Sequence, residues 1–258
     1  MASFLDTIIH NKLKEQQALR LAFGQEVKGI WSSRKNVSMA EALRKSDTGI
    51  IAEFKRRSPS KGDIHPMASV SEIVPAYFTH GATAVSVLTD TRFFGGASLD
   101  LLMARELTQG PLLRKDFVVC ERQIHEAKAL GADAILLIAA CTSKSKVREY
   151  TETAHSVGLE VLLEIHNEKE LDCYFDGVDM VGVNNRDLTT FNVDTSLSVK
   201  VANYLPENVV KVAESGLTDF KEIAQLRKIG YRGFLIGETF MKVKHPALAL
   251  EKFITGKE

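Results

Sequence analysis

The sequence predicts an α/β fold: a single (β/α)8, or TIM, barrel spanning residues 1–258, with residues 1–48 as an N-terminal helical extension. Three observations carry this reading. A length of 258 residues suits one barrel. Eight short apolar runs alternate with amphipathic stretches, a pattern that builds a parallel sheet covered by helices. Four of the runs are entered through a glycine, at Gly81, Gly131, Gly177 and Gly230, roughly 50 residues apart, each after a helical stretch. A helix C-cap glycine belongs at that position. An open doubly wound sheet is the competing arrangement, but its GxGxxG fingerprint does not follow the first strand.

Taken in order, the extension comes first. Phe4, Leu5, Ile8, Ile9 and Leu13 recur at helical spacing and give one apolar face. Ser38-Met-Ala-Glu41 reads as a capping box opening a second, short helix. Periodicity leaves open whether the extension covers the barrel bottom or folds over its mouth. Strands then begin near residues 49, 83, 111, 133, 159, 179, 209 and 232. Helices lie near 69–79, 99–108, 121–130, 143–157, 167–173, 195–203, 218–229 and 246–254. No interdomain linker or low-complexity segment interrupts them.

Composition narrows the function classes. Lys plus Arg and Asp plus Glu number 33 each, so no charge excess argues for nucleic acid or an anionic membrane surface. No apolar window reaches spanning length, and the first residues lack a secretory pattern. Cys120, Cys141 and Cys173 are odd in number and form no CxxC pair, which predicts free thiols in a reducing cytoplasm.

The chemistry is expected where strands end, because barrel sites gather at the C-terminal face. Period-two alternation puts Ile51, Glu53 and Lys55 on one face of the first strand. Lys115 shares a face with Leu113 at the end of the third strand, and Glu164 with Leu162 on the fifth. The sixth ends in Asn184-Asn185-Arg186, the seventh in Glu214-Ser215-Gly216 and the eighth at Gly237-Glu238. Charges at the ends of apolar strands are costly unless paired or used. Acids beside lysines shift one another's pKa values and so divide proton donors from acceptors. Ser215-Gly216 and Gly237 lie where barrels bind phosphate, in the loops after strands seven and eight, and Lys55 and Ser58 close the cradle from the first loop. Glu238 is awkward there. Its backbone N–H serves the anion if its side chain points away.

At these residues the chain resembles the indole-3-glycerol-phosphate synthases. The resemblance rests on Ile50-Ile-Ala-Glu53-Phe-Lys55-Arg-Arg-Ser58-Pro59-Ser60-Lys61-Gly62 and continues in order through Val87–Asp90, Phe94-Gly95-Gly96, Leu113–Phe117, Gly131–Ile138, Glu164-Ile165, Gly182–Leu188, Val212–Gly216 and Leu235–Glu238. It implies an enzyme that converts 1-(2-carboxyphenylamino)-1-deoxyribulose 5-phosphate to indole-3-glycerol phosphate, releasing CO₂ and water, without metal or organic cofactor. By similarity Lys115 is the general acid and Glu164 the general base of the late dehydration. Lys55 binds substrate and is a second candidate acid. Glu53 orients the lysines, and Asn184 positions a substrate hydroxyl. Glu214 and Ser215 match family residues at the seventh strand end. Ser58, Gly216, Gly237 and the Glu238 backbone match the phosphate site. Arg186 matches a residue near the aromatic ring, and Phe94, Phe117, Leu136 and Leu188 match its apolar pocket. A Schiff-base lysine is the other role open to Lys115. Asn185 and Phe54 stand within the range of the family, and the chain is too short for the fusion with phosphoribosylanthranilate isomerase found in some bacteria. A sister isomerase would lack the Glu53-x-Lys55-x-x-Ser58-Pro59 run, and a non-catalytic scaffold should have lost Lys115 or Glu164. The partner implied is a phosphorylated small molecule, with the chain working as a monomer or weak homodimer.

Overall fold

Strand alternation divides the apolar residues into two cores. The computed structural model describes residues 3–23 and 27–256; the ends of the 1–258 span lie outside them. Eight parallel strands close a barrel: β1 (Ile50–Phe54), β2 (Ala84–Leu88), β3 (Leu112–Lys115), β4 (Ala134–Ile138), β5 (Glu160–Ile165), β6 (Met180–Asn184), β7 (Val210–Glu214) and β8 (Tyr231–Ile236). Each pairs with its sequence neighbours, and β8 closes on β1 through Ile51↔Leu235. Inward residues such as Ile51, Leu113, Leu136, Leu162 and Val212 fill the lumen. Their outward neighbours, such as Ile50, Leu112, Leu137, Leu163 and Ala213, meet the surrounding helices in the larger core. Both faces of every strand are therefore buried, as all-parallel strands require.

The helices fall close to the predicted ranges. The extension forms α1 (Phe4–Phe23) and α2 (Met39–Lys45). The barrel adds α3 (Val70–Thr79), α4 (Thr91–Phe94), α5 (Ser98–Leu107), α6 (Glu121–Ala129), α7 (Lys144–Ser156), α8 (Ser196–Ala202), α9 (Phe220–Lys228), α10 (Glu238–Met241) and α11 (Pro246–Thr255). Residues Glu168–Cys173, expected as a helix, form a 3-10 turn. Gly81, Gly131 and Gly230 follow helix ends with φ of 101°, 88° and 99°, the left-handed conformation that suits glycine. Gly177 does not share it, because the 3-10 turn has already ended at Cys173. Gly158, after α7, takes the role instead, with φ 77°. Among the described residues, no helix is long and apolar enough to cross a membrane, and the three cysteines are free.

The extension serves both ends of the barrel. Met39 and Leu43 of α2 are fully buried and join the lumen core from below. Ser38 caps α2 by accepting from the Glu41 N–H at 3.0 Å, but the expected capping box is only half formed. Glu41 turns to Lys45 at 2.9 Å, and the Met39 and Ala40 N–H groups donate to Glu160 instead. A complete box opens α9, at Asp219 and Glu222. Helix α1 lies over the mouth. Its buried stripe is Ile8, Lys12 and Gln16, whereas Leu13, predicted on the apolar face, is 49% exposed. Lys12 is buried because its Nζ meets Asp90 and Asp116, each at 3.0 Å.

Candidate active site

The strand ends bring three carboxylates onto one ammonium. Glu53 on β1, Glu164 on β5 and Glu214 on β7 all point inward and are buried. Lys115, the last residue of β3, reaches between them: its Nζ lies 2.6 Å from Glu214 Oε2, 3.2 Å from Glu164 Oε2 and 3.8 Å from Glu53 Oε2. Glu53 gives its other oxygen to Lys55 at 2.7 Å, so one carboxylate orients both lysines. Two glycines make the room. A Cβ at Gly182 would collide with Glu214 Oε1, and one at Gly237 with Glu53 Oε1.

Burial and proximity then assign protonation states. Burial alone would strip the proton from Lys115, but the three carboxylates outweigh it and hold the ammonium charged well beyond the ordinary lysine range. Burial would also protonate Glu164, yet Lys115 and then His166 keep it ionised. Glu53 is likewise held low against its burial by Lys55 and Lys115. For Glu214 burial prevails over the pull of Lys115, and the negative charge of Glu164 adds to it, so this carboxyl is pushed up. The site thus presents a protonated lysine beside an ionised glutamate. Among the described residues no group of His, Cys, Asp and Glu is arranged to hold a metal ion.

The catalytic and substrate-binding candidates of the sequence all line one cavity of about 290 Å³ at the mouth. Its walls are apolar on one side, with Phe94 and Phe117 rings 6.1 Å apart and Leu136 and Leu188 beside them. On the other side Ser215 and Gly216 are both left-handed, with φ of 65° and 78°. Backbone N–H groups of a turn at such a strand end can face an anion. Gly237 and Ser58 complete this side. Asn184 accepts from the Arg186 N–H at 3.1 Å, and Arg186 donates to the Phe191 carbonyl at 3.1 Å. Glu238 does not simply turn away from the anion side. Its carboxylate lines the cavity within 3.7 Å of both Arg186 and Lys61, so two cations balance it.

The sequence reading missed several contributors. Phe4, Leu5 and Ile8 of α1 line the cavity, but their spacing shows only a helix and not what it covers. Lys12 was hidden because a lysine reads as solvent-facing. His166 stands two residues past Glu164, the strand spacing that places both on one face, yet a single histidine carries no signature.

Comparison with known proteins agrees with this geometry. The family model for indole-3-glycerol phosphate synthase matches residues 5–253. The chain belongs to the indole-3-glycerol phosphate synthase family. Among relatives that carry that name, the protein of Bacteroides thetaiotaomicron is 49% identical over 258 residues, covering 98% of each chain. That of Salinibacter ruber is 40% identical, covering 97% of this chain and 94% of its own. As a member of the synthase family the chain is a carboxy-lyase of tryptophan biosynthesis that acts on a phosphorylated small molecule. Solved structures share the fold at low identity. Thiamine phosphate pyrophosphorylase from Pyrococcus furiosus superposes with a TM-score of 0.62 at 17% identity, over 84% of this chain and 96% of that one. A chain of the tryptophan synthase complex from the same organism gives 0.60 at 14%, over 81% and 97%.

Proposed function

We propose that the cavity converts 1-(2-carboxyphenylamino)-1-deoxyribulose 5-phosphate to indole-3-glycerol phosphate with Lys115 as general acid and Glu164 as general base. The observation that carries this reading is the Lys115 ammonium, held charged by three carboxylates between an apolar wall and an anion-binding wall. The substrate has the matching order. Its aromatic ring suits Phe94, Phe117, Leu136 and Leu188, with Arg186 near the ring, and its phosphate suits Ser58, Gly216, Gly237 and the Glu238 backbone. The ketone then falls between them, within reach of Lys115. As the ring carbon bearing the carboxylate attacks the ketone carbon, Lys115 gives its proton to the oxygen, which supplies both proton and charge stabilisation in a dry site. Loss of CO₂ returns its electron pair to the ring. The new hydroxyl then leaves as water with a proton from Lys55, the second acid, while Glu164 accepts the proton whose loss completes the indole. Lys55, oriented by Glu53, binds substrate and stands as the second acid. Asn184 and Ser215 position substrate oxygens, and Glu214 holds Lys115. The two walls hold ring and ketone together, the orientation contribution.

In the same reading residues 1–258 act as one barrel domain, cytoplasmic, monomeric or weakly dimeric, without cofactor, nucleic acid or membrane. The test is an indole absorbance assay on purified protein with this substrate and EDTA present. Turnover is expected, and Lys115→Ala should lower it by about 10²–10⁴-fold, the usual worth of a general acid. Borohydride trapping of substrate on Lys115 would replace acid catalysis by a Schiff base.

A further inference from the structure

Two lysines, Lys55 and Lys115, face the buried carboxyls Glu53, Glu164 and Glu214 at the mouth. His166 brings a further cationic group to Glu164. It follows β5 on the Glu164 face, and its side chain is 6% exposed. Its Nε2 lies 3.1 Å from Glu164 Oε1, on the side away from Lys115, which faces Oε2. Its Nδ1 lies 3.3 Å from Glu170 Oε2 in the 3-10 turn. That oxygen also accepts the His166 backbone N–H at 2.7 Å, and the other accepts from Asn167 Nδ2 at 2.6 Å. A fixed carboxylate therefore holds an imidazole ring, and the ring holds Glu164.

We propose that His166 is a positioning residue for the reaction, keeping Glu164 aimed and ionised while Lys115 gives up its proton. This rests on the reading of Lys115 as acid and Glu164 as base. With Lys115 charged, Glu164 has a cation at each oxygen and accepts protons poorly. Once Lys115 has protonated the substrate oxygen, the Oε2 side loses its cation and Glu164 becomes a stronger base. The His166 contact on Oε1 persists, so the carboxylate stays in place. The other ionisable groups facing the pair are Glu53 on β1, Cys141 after β4 and Asp187 after β6, besides Lys115, Glu170 and Glu214. Burial opposes the ring's charge, but Glu164 and Glu170 overcome it and raise its pKa to about 10.

The experiment compares wild type, His166→Gln, Glu164→Gln and the double variant by kcat, KM and pH profile. His166→Gln should lower kcat by about 10–10²-fold, part of the full worth of a general base. KM should change little, and the acid limb of the kcat profile should move up by about one pH unit as Glu164 loses a cation. In the Glu164→Gln background the same change should cost nothing more, because the group it positions is gone. An equal loss in both backgrounds, or a loss confined to KM, would overturn the proposal. Histidine-selective NMR of the wild type needs no variant: a His166 ring still doubly protonated at pH 8 supports the proposal, and a neutral ring at pH 7 overturns it. Full turnover by Glu164→Gln alone would remove the base reading first, and is seen in a protein whose His166 is intact.

Discussion

Lys12→Met should open the mouth of the barrel without unfolding it. In the native chain Lys12 Nζ sits 3.0 Å from both Asp90 Oδ2 and Asp116 Oδ1, with all three side chains buried. Without the ammonium, Asp116 keeps Arg114 at 3.4 Å and the Thr89 hydroxyl at 2.7 Å. Among the described residues Asp90 keeps only the Phe93 N–H, on Oδ1. Removing one partner of a buried pair costs about 3–5 kcal/mol. The other anchors of α1 are of similar size. Ile8 burial contributes about 2 kcal/mol, and the edge contacts of Phe4 with Phe93 and Phe191 about 1 kcal/mol each. The penalty therefore cancels what holds α1 down, and lifting the helix lets water reach Asp90. Local opening is the cheaper response. Hydrogen exchange of α1 should speed up by about 10²–10³-fold, at about 1.4 kcal/mol per factor of ten. KM should rise, since Leu5 and Ile8 leave the cavity wall, while the melting of the barrel shifts little. Unchanged exchange in α1 with a large fall in Tm would refute this, and would make the triad a support of the barrel itself.

Three further outcomes follow from the same geometry. Gly182→Ala and Gly237→Ala would press a methyl onto Glu214 and Glu53 respectively, and a displacement of about 1 Å at such a site costs about 10²-fold in kcat; unchanged kcat in the folded variants would show that these carboxylates can move freely. Asp133→Ala removes the acceptor of the Leu112 and Val37 N–H groups and the partner of Arg34 and Arg105 at the opposite end of the barrel. It should cost about 3–5 kcal/mol and lower Tm while kcat of the folded protein holds; a lost kcat at unchanged Tm would contradict this. His166, raised from 6.5 to about 10 in the fold, gives stability that is fully present below pH 6.5 and is lost as pH rises through 10. The Tm advantage of wild type over His166→Gln should therefore shrink across that window, and a constant gap would count against the bound proton.

What was legible in the sequence is what local periodicity encodes. Glu53 and Lys55, two apart on an apolar run, had to share a face, and Lys115 had to share one with Leu113. The same rule reached Glu164 beside Leu162. It failed where partners are distant in sequence. Ser38 followed by Glu41 looks like a complete cap, but the α2 N–H groups take Glu160, some 120 residues away. Lys12 stands four residues past Ile8 on the same helix face, but hydropathy assigns a lysine to water, and it takes Asp90 and Asp116 to make that position an inside. Helices α4 and α10 hold four residues each, too few to show a period. The fate of the extension was undecidable for a related reason: α1 and α2 have similar patterns but go to opposite ends.

Buried charge serves the two ends of this barrel in opposite ways. At the bottom, Asp133 accepts from Leu112, Val37 and Arg34 at once, with its side chain fully buried. A carboxylate so fully partnered fixes the strands around it. At the mouth, one ammonium is divided among three carboxylates at unequal distances, and all four groups line open space. On the proposed mechanism the proton of Lys115 is stabilised by charge that remains when it leaves, so its departure toward a substrate oxygen would leave Glu164 more basic than before, and the first proton transfer would prepare the second. Such coupling needs the two groups in direct contact, and strands β3 and β5, two apart in the barrel, bring Lys115 and Glu164 to 3.2 Å.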